Sequence, residues 1–127
     1  MAGSLTLSTL SDGTNSTSAT NAIRGSARAW VSFNGTNGSM RANFNVSSVT
    51  RNGTGDYTVN FATAMPDVNY AIAGSTNEGS PLDNQAPARV LQIRRTAPTT
   101  TASRFAVTNF GNTNVDVEYV YVVFFSS

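Results

Sequence analysis

An alternation of apolar and polar side chains begins at Ala27 and continues through most of the chain. In the stretch ARAWVSF (residues 27–33), small or apolar side chains alternate with Arg28, Trp30 and Ser32. A period of two places successive residues on opposite faces of a β-strand, whereas an amphipathic helix needs a period of 3.6. No segment keeps the helical period over three turns, so the sequence predicts an all-β fold.

Seven or eight such segments follow one another at hairpin spacing and are separated by turns rich in Gly, Asn, Pro and Thr. This arrangement is typical of an antiparallel β-sandwich or a jelly-roll-like domain. With 127 residues the chain has room for one domain. We expect that domain to be a β-sandwich knob spanning residues 27–127.

Two of the predicted strands flank a tight turn. The first puts four apolar side chains on one face: Met40, Ala42, Phe44 and Val46. The second follows a turn at residues 51–55 in RNGTGDYTVNF (residues 51–61). Asn52-Gly53 and Thr54-Gly55 are both turn residues, and Asn-Gly suits the positive φ angles of a two-residue hairpin turn. The alternation after this turn predicts that Tyr57, Val59 and Phe61 enter the core.

Residues 1–26 have a different composition. The stretch SDGTNSTSATNAIRGS is polar, and its only large apolar side chain is Ile23. This pattern does not predict an amphipathic helix. We expect an extended N-terminal arm that anchors the protein to a neighbouring subunit through its large apolar side chains, namely Leu5, Leu7, Leu10 and Ile23.

The final segment, VDVEYVYVVFFSS, breaks the alternation because Val120, Val122 and Phe124 add apolar side chains to a second face. A strand that is apolar on both faces is buried on both faces. The second face could lie under the loop at residues 75–88, but we favour an oligomer interface. Trp30, on the polar side of its strand, is expected at the same interface, with a sugar-stacking platform as the alternative.

Several classes of chemistry are excluded by composition. The chain contains no His, Cys or Lys, and its eight basic residues are all Arg. A Ser-His-Asp triad, a thiolate nucleophile, a disulfide and a Cys/His zinc site are therefore impossible. The net charge of +1 provides no general attraction to nucleic acid or to an anionic membrane. We expect no cofactor.

The carboxylates also give little support to catalysis. Asp116 and Glu118 are two residues apart and would project from one face of a strand, where such residues usually form a solvated face or pair with Arg on the adjacent strand. A glycosidase needs two carboxylates that converge across a cleft. A calcium site at Glu78, Asp83 and Asn84 is conceivable, but the spacing does not fit an EF-hand loop.

Two stretches resemble a known module: ARAWVSFNGT and RANFNVSSVTRNGTGDYTVNFATAMPDVNYAI. They are similar to a module that recurs in structural proteins of tailed bacteriophages, especially marine and cyanobacterial ones, at the C-terminal end of tail fibres. The likeness covers about residues 11–73, and more loosely VEYVYVVFF near the end. It implies a non-enzymatic virion protein, a homotrimeric knob made in the host cytoplasm and carried on the virion surface.

The resemblance also implies where a host would be recognised. Tail-fibre tips of this kind bind a host surface glycan or protein through variable loops, which here correspond to residues 75–88 and 96–103. The candidate receptor residues in the first loop are Asn77, Glu78, Leu82, Asp83, Asn84 and Gln85.

The short N-terminal segment leaves other functions open. Because only about 26 residues precede the module, we expect a separate tip, a small adhesin or a subunit that sits directly on other virion proteins of the capsid or tail. A capsid decoration (cement) protein is the alternative to a receptor-binding protein. A polysaccharide-degrading enzyme is disfavoured by the missing His and the unpaired carboxylates.

Overall fold

The computed structural model describes residues 2–78, 89–94 and 96–126, which form ten strands and one short helix. In chain order the elements are β1 (Thr9–Ser11), β2 (Ser16–Ser18), α1 (Ala19–Gly25), β3 (Ala27–Phe33), β4 (Met40–Phe44), β5 (Val46–Gly53), β6 (Asp56–Phe61), β7 (Ala71–Asn77), β8 (Val90–Ile93), β9 (Ala102–Thr108) and β10 (Tyr119–Phe125). The predicted all-β, antiparallel character is confirmed.

Eight of these strands form two four-stranded antiparallel sheets. The strand order is β4-β3-β10-β7 in one sheet and β5-β6-β9-β8 in the other. In the first sheet, β10 lies between β3 and β7, with Val122 opposite Val31 on one side and Gly74 on the other. The C-terminal strand therefore becomes a central strand that joins segments far apart in the sequence.

The inner faces of both sheets contribute to one hydrophobic core. Phe33 of the first sheet packs edge-on against Tyr57 of the second, with ring centroids 5.1 Å apart. Phe61 and Phe124 make a similar contact at 5.0 Å. Such edge-to-face pairs add to the stabilisation from burying apolar surface. The predicted burial of Tyr57, Val59 and Phe61 is confirmed.

The predicted continuous strand over residues 40–46 is wrong. Asn45 has a φ angle of 54° and separates β4 from β5, which belong to different sheets. Its side chain bridges the backbone by donating to the carbonyls of Arg28 and Thr63 (both 3.1 Å). Asn tolerates this left-handed conformation better than most residues. As a result Val46 is buried, whereas Phe44 is 54% exposed.

The hairpin turn lies within the predicted segment, residues 51–55, but two residues beyond the Asn52-Gly53 pair that was expected to form it. Gly53 pairs with Asp56, so the two-residue loop is Thr54-Gly55, and Asn52 lies at an irregularity within β5. Gly55 has a φ angle of 60°. The Asn52 side chain instead donates to Thr58 Oγ1 at 2.9 Å.

The assignment of Val120, Val122 and Phe124 to an oligomer interface is also wrong. All three side chains are buried in the core of the single chain, with exposures of 0%, 3% and 0%. The regular strand begins only at Tyr119, and the irregular segment before it leaves Val117 buried as well. If the alternation is counted from Val117 into the strand, the residues that face the core are predicted to face outward and the outward residues are predicted to face the core.

The N-terminal segment, residues 2–26, is not simply extended. β1 and β2 form a two-stranded hairpin, and α1 follows directly. The Ser18 side chain caps the helix by accepting a hydrogen bond from the Asn21 N–H at 3.0 Å. None of the residues of α1 is buried. Local hydrogen bonds, rather than core packing, hold this segment together.

Candidate functional site

The hairpin tip at Thr54-Gly55 is fixed by Asp116. The Asp116 carboxylate accepts from the Gly55 N–H at 2.9 Å and from Arg51 Nε at 3.2 Å. The Tyr57 hydroxyl lies 3.1 Å from the same carboxylate and 2.9 Å from the Gly35 carbonyl oxygen. Because the tip is tied to the core at so many points, it is a rigid part of the framework.

The network shifts the pKa of two of its groups. Burial tends to raise the pKa of Asp116, but hydrogen bonds from Arg51, Gly55 and Tyr57 and the Arg51 charge together lower it below the usual 3.8. Burial, and then the charge of Asp116, raises the pKa of Tyr57. The pair is therefore held as an ionised carboxylate and a neutral phenol near neutral pH.

Two further carboxylates also pair with arginines. Glu118 lies 3.6 Å from Arg41, and Asp56 accepts two hydrogen bonds from Arg104 at 2.9 and 2.7 Å. Asp116 and Glu118 do pair with arginines, one of the two arrangements expected from the sequence, but both lie in the irregular segment before β10 and not on a strand. Among the described residues no three His, Cys, Asp or Glu side chains form a group that could hold a metal ion.

The outer face of the first sheet carries exposed aromatic side chains. Trp30 lies directly opposite Phe44 on β4 and opposite Val123 on β10. Trp30 is 39% exposed and Tyr121 is 42% exposed. Directly paired side chains of neighbouring strands are about 5 Å apart and so form a continuous surface. We call the exposed surface formed by Trp30, Phe44, Tyr121 and Val123 the aromatic face.

A shallow groove of about 340 Å³ crosses the aromatic face. It runs over β3, β10 and β7, and its walls include Trp30 and Tyr121. Ser32 and Ser75 also line this groove, but its surface is almost entirely apolar. Tyr119 stacks on Tyr121 with an interplanar angle of 16° and a centroid distance of 6.4 Å, and this contact holds the Tyr121 ring in position.

A second cavity, of about 420 Å³, lies at the end of β3 next to the aromatic face. It is lined by Arg28, Phe44 and Asn45 together with the segment 63–66. Ala27 and Ala29 pair with consecutive residues of β10, so Arg28 is the extra residue of a β-bulge. Its Nε is buried, and among the described residues it has no hydrogen-bond partner. We call this the Arg28 cavity.

The N-terminal segment contains a third groove, of about 380 Å³. It brings together the four side chains predicted as an anchor, Leu5, Leu7, Leu10 and Ile23, with Ala19 and Ala22. The four large side chains are 46–81% exposed. The structure thus joins residues far apart in this segment into one apolar surface, which we call the arm groove.

The predicted receptor loop is only partly covered by the structure. Asn77 belongs to β7, and Glu78 forms an ion pair with Arg89. The other candidates, Leu82, Asp83, Asn84 and Gln85, lie outside the described residues. The second predicted loop is held by the Tyr70 hydroxyl, which lies within hydrogen-bond distance of two of its carbonyls.

Sequence reasoning does not predict several residues of these surfaces. It places Phe44 on one face with Val46 because the reversal at Asn45 is not visible in the sequence, and it exchanges the two faces of β10, which carries Tyr121 and Val123. Arg28 was treated as an ordinary outward residue, although it is the only charged side chain in ARAWVSF. That isolated charge was the available signal, but the bulge that places it at a cavity depends on its pairing with β10.

No protein-family description, no curated protein and no solved structure matches this chain. Within the described ranges, none of the helical structure is long and apolar enough to cross a bilayer.

Proposed function

We propose that the chain is a non-enzymatic structural protein on the surface of a tailed-phage virion, of tail-fibre or receptor-binding type. The observation that carries this proposal is the presence of two exposed apolar surfaces on separate parts of the chain. The arm groove lies on the N-terminal segment, and the aromatic face lies on the first sheet. One surface attaches the protein to the particle, and the other meets an external ligand.

In this proposal the body is a β-sandwich. The two four-stranded sheets place their inner faces against each other through the contacts of Phe33 with Tyr57 and of Phe61 with Phe124. A sandwich stabilised by aromatic packing suits a protein on the outside of a particle because binding residues are then held on rigid strands.

The arm groove is suited to docking on another protein. Leu5 is 81% exposed and Ile23 is 56% exposed, although burial of such a side chain contributes about 1.5–3 kcal/mol. A partner that covers all four large apolar side chains would therefore gain several kcal/mol before the ordering costs of association are subtracted. The partner in this proposal is another virion protein of the capsid or tail.

The attachment step is tested with Leu10→Ser and Ile23→Ser, measured as the amount of protein retained on purified particles. We expect both variants to be folded but absent from particles. Val68→Ser is the matched control, because Val68 is 47% exposed but lies outside the arm groove. Normal retention of both arm variants would contradict the proposed anchor.

Adsorption distinguishes the two virion roles. Particles that lack the protein should fail to adsorb to host cells if it binds the receptor. If such particles adsorb normally but lose their integrity on heating, the chain is a capsid decoration protein instead. The arm groove fits either role, whereas the aromatic face favours receptor binding.

The proposed homotrimer no longer uses Val120, Val122 and Phe124. The copies meet instead through their N-terminal segments, and the arm grooves of the three copies lie side by side as the surface that binds the virion partner. Light scattering should then give three times the chain mass of 13.4 kDa, and deletion of residues 2–25 should reduce it to one chain. A single-chain mass for the intact protein at micromolar concentration would refute assembly in solution.

A further inference from the structure

The aromatic face and the Arg28 cavity adjoin each other. Trp30 lines the groove, Phe44 lines the cavity, and these two residues face each other across β3 and β4. Arg28 and Trp30 are two residues apart on β3, which corresponds to about 7 Å along a strand. A single elongated ligand can therefore contact both sites.

The two sites suit different parts of a ligand: the groove suits apolar faces, and the Arg28 cavity suits a negative charge. The groove offers aromatic rings and an almost entirely apolar surface, whereas the lining of the cavity includes the charged Arg28. Aromatic rings pack against the apolar faces of flat ligands such as sugar rings. A guanidinium group binds a carboxylate through two parallel hydrogen bonds.

Arg28 has no carboxylate partner among the described residues. Arg41, Arg51 and Arg104 each have one. No ion pair and no side-chain hydrogen bond joins Arg28 to a described residue, and its Nε is shielded by protein atoms. A ligand in the cavity would therefore meet the terminal nitrogens of the guanidinium, whose charge calls for an anionic partner.

On these grounds we infer that the aromatic face and the Arg28 cavity together bind an acidic glycan, a chain of sugars bearing carboxylate groups. Sugar rings lie on Trp30 and Tyr121, and a carboxylate pairs with Arg28. This inference rests on the proposed receptor-binding function and makes it more specific. It places recognition on the strands of the first sheet rather than on the loops after Gly74.

A second copy of the chain fits this surface less well. The carboxylates of Asp56, Asp116 and Glu118 already pair with arginines, so a neighbouring copy would have to bring another carboxylate, such as the exposed Asp12, to Arg28. A copy that covered both sites without doing so would bury the Arg28 charge unpaired, which is costly. A ligand that carries its own carboxylate meets this requirement directly.

The test uses the full-length recombinant protein and immobilised oligosaccharides of galacturonic, glucuronic, mannuronic and guluronic acid. Each is presented beside its fully methyl-esterified form, which keeps the sugar rings but removes the charge. We expect at least one acid form to bind, and its ester to bind about tenfold more weakly or worse. That factor corresponds to about 1.4 kcal/mol, within the range for a hydrogen-bonded charge.

Two variants and two matched controls assign the site. Arg28→Gln and Trp30→Ala should each weaken binding of the acid form by about tenfold or more. Arg24→Gln removes an exposed arginine from the N-terminal segment, and Phe110→Ala removes a ring that is 81% exposed elsewhere. Both controls should bind like the wild type, and urea unfolding should show that all four variants are fully folded under the conditions of the binding assay.

Three outcomes would overturn the inference. They are failure of every acid form to bind at millimolar concentration, equal binding of an acid form and its ester, and unchanged binding by Arg28→Gln. A fall in molar mass on Trp30→Ala but not on Phe110→Ala would also overturn it, because the face would then join copies of the chain. If the purified protein binds as expected but Arg28→Gln particles adsorb normally, the site stands and the receptor-binding function fails.

Discussion

Replacement of Gly55 by alanine is expected to destabilise the protein severely, whereas the same change at Gly53 is expected to have little effect. A Cβ atom at Gly55 would lie 2.6 Å from the Val107 carbonyl oxygen and 2.6 Å from the Val115 nitrogen. Both neighbours are backbone atoms and cannot rotate away. At Gly53, two residues earlier in the same hairpin, a Cβ atom would meet nothing within 4 Å.

The expected magnitude has two parts. Gly55 has a φ angle of 60°, and an alanine in this left-handed region costs about 1–2 kcal/mol. Displacement of the crowded backbone adds about 1–3 kcal/mol, as for other overpacked sites. The sum is about 2–5 kcal/mol, a large fraction of the total stability of a small domain, about 5–15 kcal/mol. Gly53→Ala should stay within about 1 kcal/mol of wild type.

The measurement is equilibrium unfolding in urea, with the free energy extrapolated linearly to zero denaturant. The two variants should share the wild-type slope and differ in midpoint. A loss below about 1 kcal/mol for Gly55→Ala, or equal losses for the two variants, would refute the reasoning. In that case the hairpin tip would not be locked against Val107 and Val115.

Three further predictions concern the core, the ion pairs and the switch between sheets. Phe124→Ala should lower the free energy of unfolding, measured in urea, by about 3–5 kcal/mol because its ring is fully buried. Tyr121→Ala should lower it by about 1 kcal/mol or less. Equal losses would contradict the assigned faces of β10. Because folding lowers the pKa of Asp116, its ionised carboxylate should stabilise the fold above about pH 4. This contribution should be lost as the pH falls further. The free energy of unfolding of Asp116→Asn should therefore fall less steeply in acid than that of the wild type. Asn45→Gly should lower the free energy of unfolding by about 1–3 kcal/mol because the side-chain hydrogen bonds are lost. Asn45→Ala should lower it by about 1–2 kcal/mol more because alanine is disfavoured at the positive φ angle of this residue. Equal stability of the two variants would contradict the role given to this φ angle.

Local alternation was enough to place the strands whose pairing is regular. The alternation in ARAWVSF correctly put Ala29, Val31 and Phe33 in the core and Trp30 outside. The same reasoning failed where the chain leaves the regular pattern. At Asn45 the chain changes sheets, and before Tyr119 it is not a strand, so counting across either point gives the wrong face.

The candidate surfaces, too, were predictable where they depend on local composition and not where they depend on pairing between distant segments. The large apolar residues of the N-terminal segment were identified from their scarcity in a polar stretch, and they do converge in one groove. Their convergence depends on the β1–β2 hairpin and α1, which composition did not predict. The Arg28 cavity could not be found from the sequence, because it requires a bulge against β10, about 95 residues away in the chain.

The sequence by itself determined the all-β character, the core side of its most regular strands and the chemistry that is excluded by the absence of His, Cys and Lys. These properties depend on side-chain period and composition, which are local. Only the tertiary structure decided which face of β10 is buried, where the hairpin turns, and that Arg28, Phe44 and Trp30 adjoin. Those properties depend on pairing between distant strands, where a shift of one residue exchanges the inner and outer faces.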